Sequence, residues 1–155
     1  LRDFGASLGP EAAHRVAIGA ETLALRVQRQ SENAMAMCEF LHAHPKIKKV
    51  YYPGLAEHPQ HARAGELFRA FGGLLSFELQ SHVDLWEFLN RLQVIVKSSN
   101  LGDNRTLAIP VAHTIYFEMG PERRARMGID DSLIRISSGI EDNEDLLADI
   151  SAAFD

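Results

Sequence analysis

From Ala20 to Leu41 the apolar residues recur at three- and four-residue spacing, at Ala20, Leu23, Val27, Ala34, Cys38 and Leu41, and Pro45 then closes the run. That spacing predicts one face of a long helix, which proline cannot continue. The period then changes. IKKVYY, ending at Pro53 and Gly54, reads as a short strand, and in LLSFEL the residues Leu75, Phe77 and Leu79 alternate with Leu74, Ser76 and Glu78. Alternation sends successive side chains to opposite faces of a sheet. A chain that switches between these two periods has to pack helices on strands.

The remaining segments extend the pattern. Pro10, after Gly9, stands at a first helical position, and PQHARAGELFRA runs as a helix into Gly72 and Gly73. HVDLWEFLNRL carries Leu85, Phe88, Leu89 and Leu92 on one stripe; QVIVKSS is strand-like and leads into a loop at NLGDNR; TLAIPV is a short strand interrupted at Pro110. A small helix near PERRARMG precedes SLIRISSGIEDNEDLLADI. In that last stretch Asp142 is a helix N-cap with Asp145 three residues on, and the helix buries Leu146, Leu147, Ile150 and Phe154. The element order α-β-α-β-α-β-β-α-β-α predicts an α+β open-faced sandwich: a small, mainly antiparallel sheet with helices on one side. Residues 1–155 form a single domain without linkers or repeats.

Composition excludes several classes. Lys+Arg 16 against Asp+Glu 21 gives a net charge of -5 with no basic stripe, which argues against nucleic acid or an anionic membrane as partner. No apolar run reaches the length of a membrane span, and no signal-peptide pattern opens the chain. The lone Cys38 has no internal disulfide partner, which points to a reducing, cytoplasmic setting. The sequence opens LRDFGASLGPEAA without methionine, so it is expected to be trimmed or a piece of something larger.

Leu133-Ile134-Arg135-Ile136 sets a residue-level question. Alternation sends Ile134 and Ile136 to one face and Leu133, Arg135 and Ser137 to the other, where arginine is an ordinary solvated strand residue. If that second face packs against another domain, Arg135 is instead presented to a cleft where ligands bind. Other polar features read as structural. His58 and His61 have metal-like spacing but no third ligand nearby, so no metal site is expected. His42 and His44 flank a helix end, where a cationic imidazole meets the helix dipole. Met35 and Met37 are core or interface filler, and the acidic EDNED has a capping explanation.

Several motifs in order carry a resemblance. YPGL followed by HPQH, then GGLLSFEL, SNLGDNRTLAIP and LIRISSGIED resemble the C-terminal domain of the cysteine and methionine metabolism enzymes that depend on pyridoxal phosphate. The likeness runs from RDFGA to the last helix. That family includes cystathionine synthases and lyases, methionine lyase and O-acylhomoserine sulfhydrylases, and in motif detail this chain is most similar to the O-acetylhomoserine sulfhydrylases.

The resemblance implies roles. Arg135 occupies the position of the arginine that holds the substrate α-carboxylate, a task suited to a planar guanidinium with two parallel donors. Ser99, Asn100 and Arg105 fall among the substrate-binding positions. Lyases of the family commonly have serine where Asn100 stands, and often have glutamate where Arg105 stands. A basic residue there would repel the far amino group of cystathionine. In the family, PVAHTIY is replaced by His-Pro-Ala-Ser-x-Thr-His, which leaves Pro110, Ala112, His113 and Tyr116 in unfamiliar roles. The cofactor-binding lysine sits in a Ser-x-Thr-Lys type motif, and none of Lys46, Lys48, Lys49 and Lys97 has that context. Catalytic and cofactor-binding residues are therefore expected on an N-terminal domain outside this chain. The intact enzyme would be a homotetramer, and the chain alone is expected to bind no cofactor and to be inactive. A reading of another class is a stand-alone, non-catalytic binding or association module. Against it, VIVKSS and LIRISS mix apolar and small residues as an interface does.

Overall fold

The computed structural model describes residues 7–155, so RDFGA lies outside the described residues. Two helices come first, α1 (Pro10–Glu21) and α2 (Leu23–Ala43). They are followed by β1 (Ile47–Tyr51), α3 (His61–Leu67), β2 (Leu74–Leu79), α4 (Leu85–Arg91), β3 (Val96–Lys97) and β4 (Leu107–Pro110). A 3-10 turn at Phe117–Met119, α5 (Pro121–Arg126), β5 (Leu133–Ser137) and α6 (Asn143–Ala153) complete the chain. The strands form one sheet in the order β1-β2-β5-β4-β3, antiparallel throughout except where β3 meets β4. This is the α+β sandwich that the period switching predicts.

The core lies between one face of the sheet and α2, α4 and α6. Leu75, Phe77, Leu79, Ile134 and Ile136 come from the strands; Met37, Cys38, Leu41, Phe88, Leu89, Leu146, Ile150 and Phe154 come from the helices. Each such side chain contributes about 1.5–3 kcal/mol by leaving water. Register explains why the strand residues converge, since Phe77 pairs with Ile134 and Leu75 with Ile136. The helix α6 begins as expected: the Asp142 carboxylate accepts from the Glu144 N–H at 3.0 Å. Met37 is sealed in the core and Met35 packs against its edge.

The structure corrects four expectations. The long helical face is two helices, and only its second half is buried. At the break, Arg26 turns back and donates to the Gly19 carbonyl through Nη1 and Nη2 at 3.0 and 2.9 Å, satisfying an acceptor that α1 leaves open at its end. α1 buries none of its residues and α2 is buried only from Ser31 onward, so Ala20, Leu23 and Val27 face outward.

The QVIVKSS strand shrinks to two residues, because the buried Asp149 carboxylate on α6 takes the N–H groups of Gln93, Val94 and Ile95 at 2.7, 3.0 and 2.9 Å. At the helix end His44 presents Nδ1 as an acceptor, an arrangement that disfavours the cationic ring. Its ring stacks on Phe154, its Nδ1 accepts from the Lys46 N–H at 3.2 Å, and burial, with Lys46 nearby, pulls its pKa below the ordinary histidine value. Finally, Glu141 of the EDNED cluster caps no helix. Its carboxylate binds Thr106. Among the described residues no helix is long and apolar enough to cross a membrane.

Candidate functional site

β5 runs between β2 and β4, and its register sets Arg135 beside Ser76 on one side and Ile109 on the other. Ile134 and Ile136 are sealed in the core at 0% and 1% exposure, so the pleat turns Leu133, Arg135 and Ser137 to the opposite face. Residues 98–105, the loop between β3 and β4, fold across that face. The Gly102 N–H donates to Ser137 Oγ at 2.9 Å, in a left-handed turn that glycine adopts without strain. Arg135 Nη2 donates to the carbonyls of Ser99 and Asn100 at 3.0 and 3.2 Å.

This arrangement leaves the arginine half-buried and only half used. Its Nε is buried without an acceptor, and Nη1 makes no hydrogen bond among the described residues. No described carboxylate pairs with it. The nearest candidate by register, Glu78 two residues along the same face, is taken: Lys48 Nζ lies 2.7 Å from its carboxylate and the Tyr51 hydroxyl donates to it. Lys48 also meets Asp130 at 2.7 Å, which holds the Asp130 carboxyl down at about 2. Burial, then the bond to Glu78, pushes the Tyr51 phenol up to about 12. A guanidinium positioned by two carbonyl dipoles and lacking a counterion is suited to an anionic, carboxylate-bearing ligand.

The structure thus brings Arg135, Ser99 and Asn100 together. Ser99 and Asn100 reach Arg135 through main-chain oxygens, while their side chains are exposed. Arg105 stands apart. Its guanidinium pairs with Asp103 at 3.2 Å within the loop, and its backbone N–H, then its side chain, hold the Asp103 carboxyl below the usual carboxylate range. Alternation already set Ser137 on the face of Arg135; three further residues that frame the site went unrecognised in the sequence: Ser76, Thr106 and Glu141. The alternation of LLSFEL places Ser76 on the correct face but not opposite Arg135. His58 and His61 serve their own turn: His58 Nδ1 accepts from the Gln60 N–H at 3.2 Å, and His61 Nδ1 bonds the Pro53 carbonyl at 2.8 Å. No group of three metal-ligating side chains occurs among the described residues.

The lysines do not fit a pyridoxal-phosphate site. Lys46 donates to the Phe154 carbonyl, and Lys97 donates to Asn90 Oδ1 at 3.1 Å. Lys49 lies over the Tyr51 ring, 4.5 Å from its centroid. Lys48 is held between Asp130 and Glu78, whose hydrogen bonds raise its pKa and keep it protonated. A Schiff base requires a free amine in a pocket that also cradles a phosphate. Lys46, Lys48 and Lys97 are each engaged by an acceptor instead.

Comparison with known proteins gives the likeness a measure. The family profile described as Cys/Met metabolism PLP-dependent enzyme matches residues 1–155. The chain is 41% identical over 152 residues to an O-succinylhomoserine sulfhydrylase of Pseudomonas aeruginosa, covering 97% of this chain and 38% of that protein. It is 40% identical over 152 residues to an L-methionine gamma-lyase of Fusobacterium nucleatum subsp. polymorphum, with coverage of 97% and 38%. The crystal structure of cystathionine gamma-lyase from Lactobacillus plantarum complexed with L-serine superposes with a TM-score of 0.90 at 36% identity, covering 98% of this chain and 40% of that one. The chain thus spans about two fifths of the length of the proteins it matches. With the fold, the family match and the ordered motifs in agreement, this chain belongs to the Cys/Met metabolism PLP-dependent enzyme family.

Proposed function

We propose that this chain is the C-terminal domain of a pyridoxal-phosphate-dependent enzyme of sulfur amino-acid metabolism, and that Arg135 binds the substrate α-carboxylate. The observation that carries this reading is the half-buried Arg135 guanidinium, aimed by two main-chain carbonyls and, among the described residues, without a carboxylate partner. A relative of the same fold was crystallised with L-serine, a ligand that bears the carboxylate this group suits. The cofactor, its lysine and its phosphate cradle belong to an N-terminal domain, and the complete enzyme is a cytoplasmic homotetramer.

For the reaction, Asn100 and Arg105 favour an O-acylhomoserine sulfhydrylase, which joins sulfide to an activated homoserine. The basic Arg105 suits a substrate without a distal ammonium group. Near-equal identity to a methionine lyase supports a second reading, in which the same carboxylate grip serves a γ-elimination.

Two assays on the complete enzyme test these statements. Homocysteine should form from an O-acylhomoserine and sulfide faster than any thiol is released from methionine or cystathionine; the reverse order selects the lyase. Arg135→Ala should leave the fold and cofactor content intact and reduce kcat/KM by about thirty-fold to several thousand-fold, the equivalent of roughly 2–5 kcal/mol for an unpaired buried carboxylate. A loss of less than about two-fold would make Arg135 an ordinary strand residue.

A further inference from the structure

The loop that aims Arg135 is held on Ser137 through the Gly102 N–H, by Gln30 Nε2 and the Ile140 N–H on the carbonyls of Asp103 and Asn104, and, where it returns to the sheet, by Glu141, which follows β5 by four positions. Glu141 Oε1 accepts from the Thr106 N–H and Oε2 accepts from the Thr106 hydroxyl at 2.8 Å. Thr106 is fully buried, and its hydroxyl in turn accepts from the Gly139 N–H at 2.9 Å. It is also the residue at which the 98–105 loop returns to the sheet. Gly139 leaves no slack beside it: a Cβ there would lie 2.3 Å from Glu141 Oε2 and 2.4 Å from the Asn104 carbonyl oxygen. Glu141 is anchored from behind, where Asn33 Nδ2 donates to its main-chain carbonyl at 2.9 Å.

We propose that Glu141 is a positioning residue: by occupying both donors of Thr106 it fixes the 98–105 loop, whose Ser99 and Asn100 carbonyls orient the Arg135 guanidinium toward a substrate carboxylate. The inference rests on the reading of Arg135 given above. Both Glu141 oxygens bond Thr106, so the proposed role of Glu141 runs through the loop. The link runs from Glu141 to Thr106, then back along the loop backbone to Ser99 and Asn100, whose carbonyls meet Nη2.

The test compares two probes in the complete enzyme, glycine and methylamine, which differ only by the carboxylate. Glu141→Ala is expected to weaken glycine binding about ten-fold or more, since it removes a charge-assisted pair and leaves the Thr106 N–H unsatisfied. Methylamine binding should change by less than about two-fold. Glu141→Gln, which can accept from the N–H and donate to the hydroxyl, should recover most of the loss. In an Arg135→Ala background Glu141→Ala should add less than about two-fold, because the two act on one interaction. Equal weakening of both probes, or effects that multiply in the double variant, would overturn the positioning role while leaving the carboxylate reading in place. Glycine binding unaffected by Arg135→Ala would overturn the carboxylate reading, and this inference with it. Should Glu141→Ala not fold, Thr106→Val deletes only the hydroxyl and is expected to show the same probe selectivity at smaller size; its absence there counts equally against the proposal.

Discussion

Two arginines show what burial asks of a guanidinium. Arg124, only 7% exposed, meets the Asp131 carboxylate at 3.0 Å and the Phe117 carbonyl at 3.4 Å. Among the described residues Arg135 has carbonyl partners alone, so its charge is not neutralised by any of them. Histidine at position 44 follows the opposite logic, because there it is the neutral form that the fold accommodates. Stacked on Phe154 with Nδ1 used as an acceptor, His44 has a folded pKa below 6.5. The unfolded chain therefore binds the proton first as pH falls. The stability that His44 contributes is fully present above 6.5 and is lost as the pH drops through that value toward the folded pKa. Thermal midpoints between about pH 7.5 and about pH 5.5 should fall further for the parent than for His44→Phe, which keeps the stack but cannot titrate. Identical pH dependence in the two proteins would show that His44 does not carry this effect.

Elements in this fold are placed by side chains from distant parts of the chain. Asp149, 7% exposed on α6, receives three N–H groups from the segment between α4 and β3, and so sets where β3 begins. Asp149→Ala would strand those three donors and is expected to lower unfolding free energy by about 3–5 kcal/mol, a large share of a typical domain's stability. Asp149→Asn, still able to accept at one oxygen, should lose less. Urea titration would decide; a change under about 1 kcal/mol would mean that water replaces the carboxylate.

Such long-range bonds mark the limit of what sequence shows. Leu75, Phe77, Ile134 and Ile136 reveal their face through alternation, because burial acts within each strand. The Asp149 and Glu141 contacts join residues 54 and 35 positions apart, and nothing local in ADI or GIED signals them. Likewise, Ser99 and Asn100 meet Arg135 through carbonyls that every residue possesses. Their side chains could not have revealed it, and it was the family resemblance that drew attention to the loop.

At the scale of the whole molecule, the two sheet faces divide the labour. One is sealed by α2, α4 and α6; the other carries Arg135 under a loop, beside the buried Glu78 and its partners Lys48 and Tyr51. On the proposed reading the molecule offers a grip for a carboxylate, while three of its lysines are engaged elsewhere. Lys48 is kept protonated by Asp130 and Glu78, Lys46 is drawn to the Phe154 carbonyl, and Lys97 to Asn90. Lys49 is exposed and lies over the Tyr51 ring. A lysine forms a stable imine with pyridoxal phosphate only when the amine is deprotonated and the phosphate is held. Incubating the 155-residue chain with pyridoxal phosphate and reducing with borohydride should therefore label its lysines weakly and without preference, as peptide mapping would show. One-to-one modification of a single lysine would reveal a cofactor pocket within this chain and overturn the proposal that the cofactor's lysine belongs to another domain.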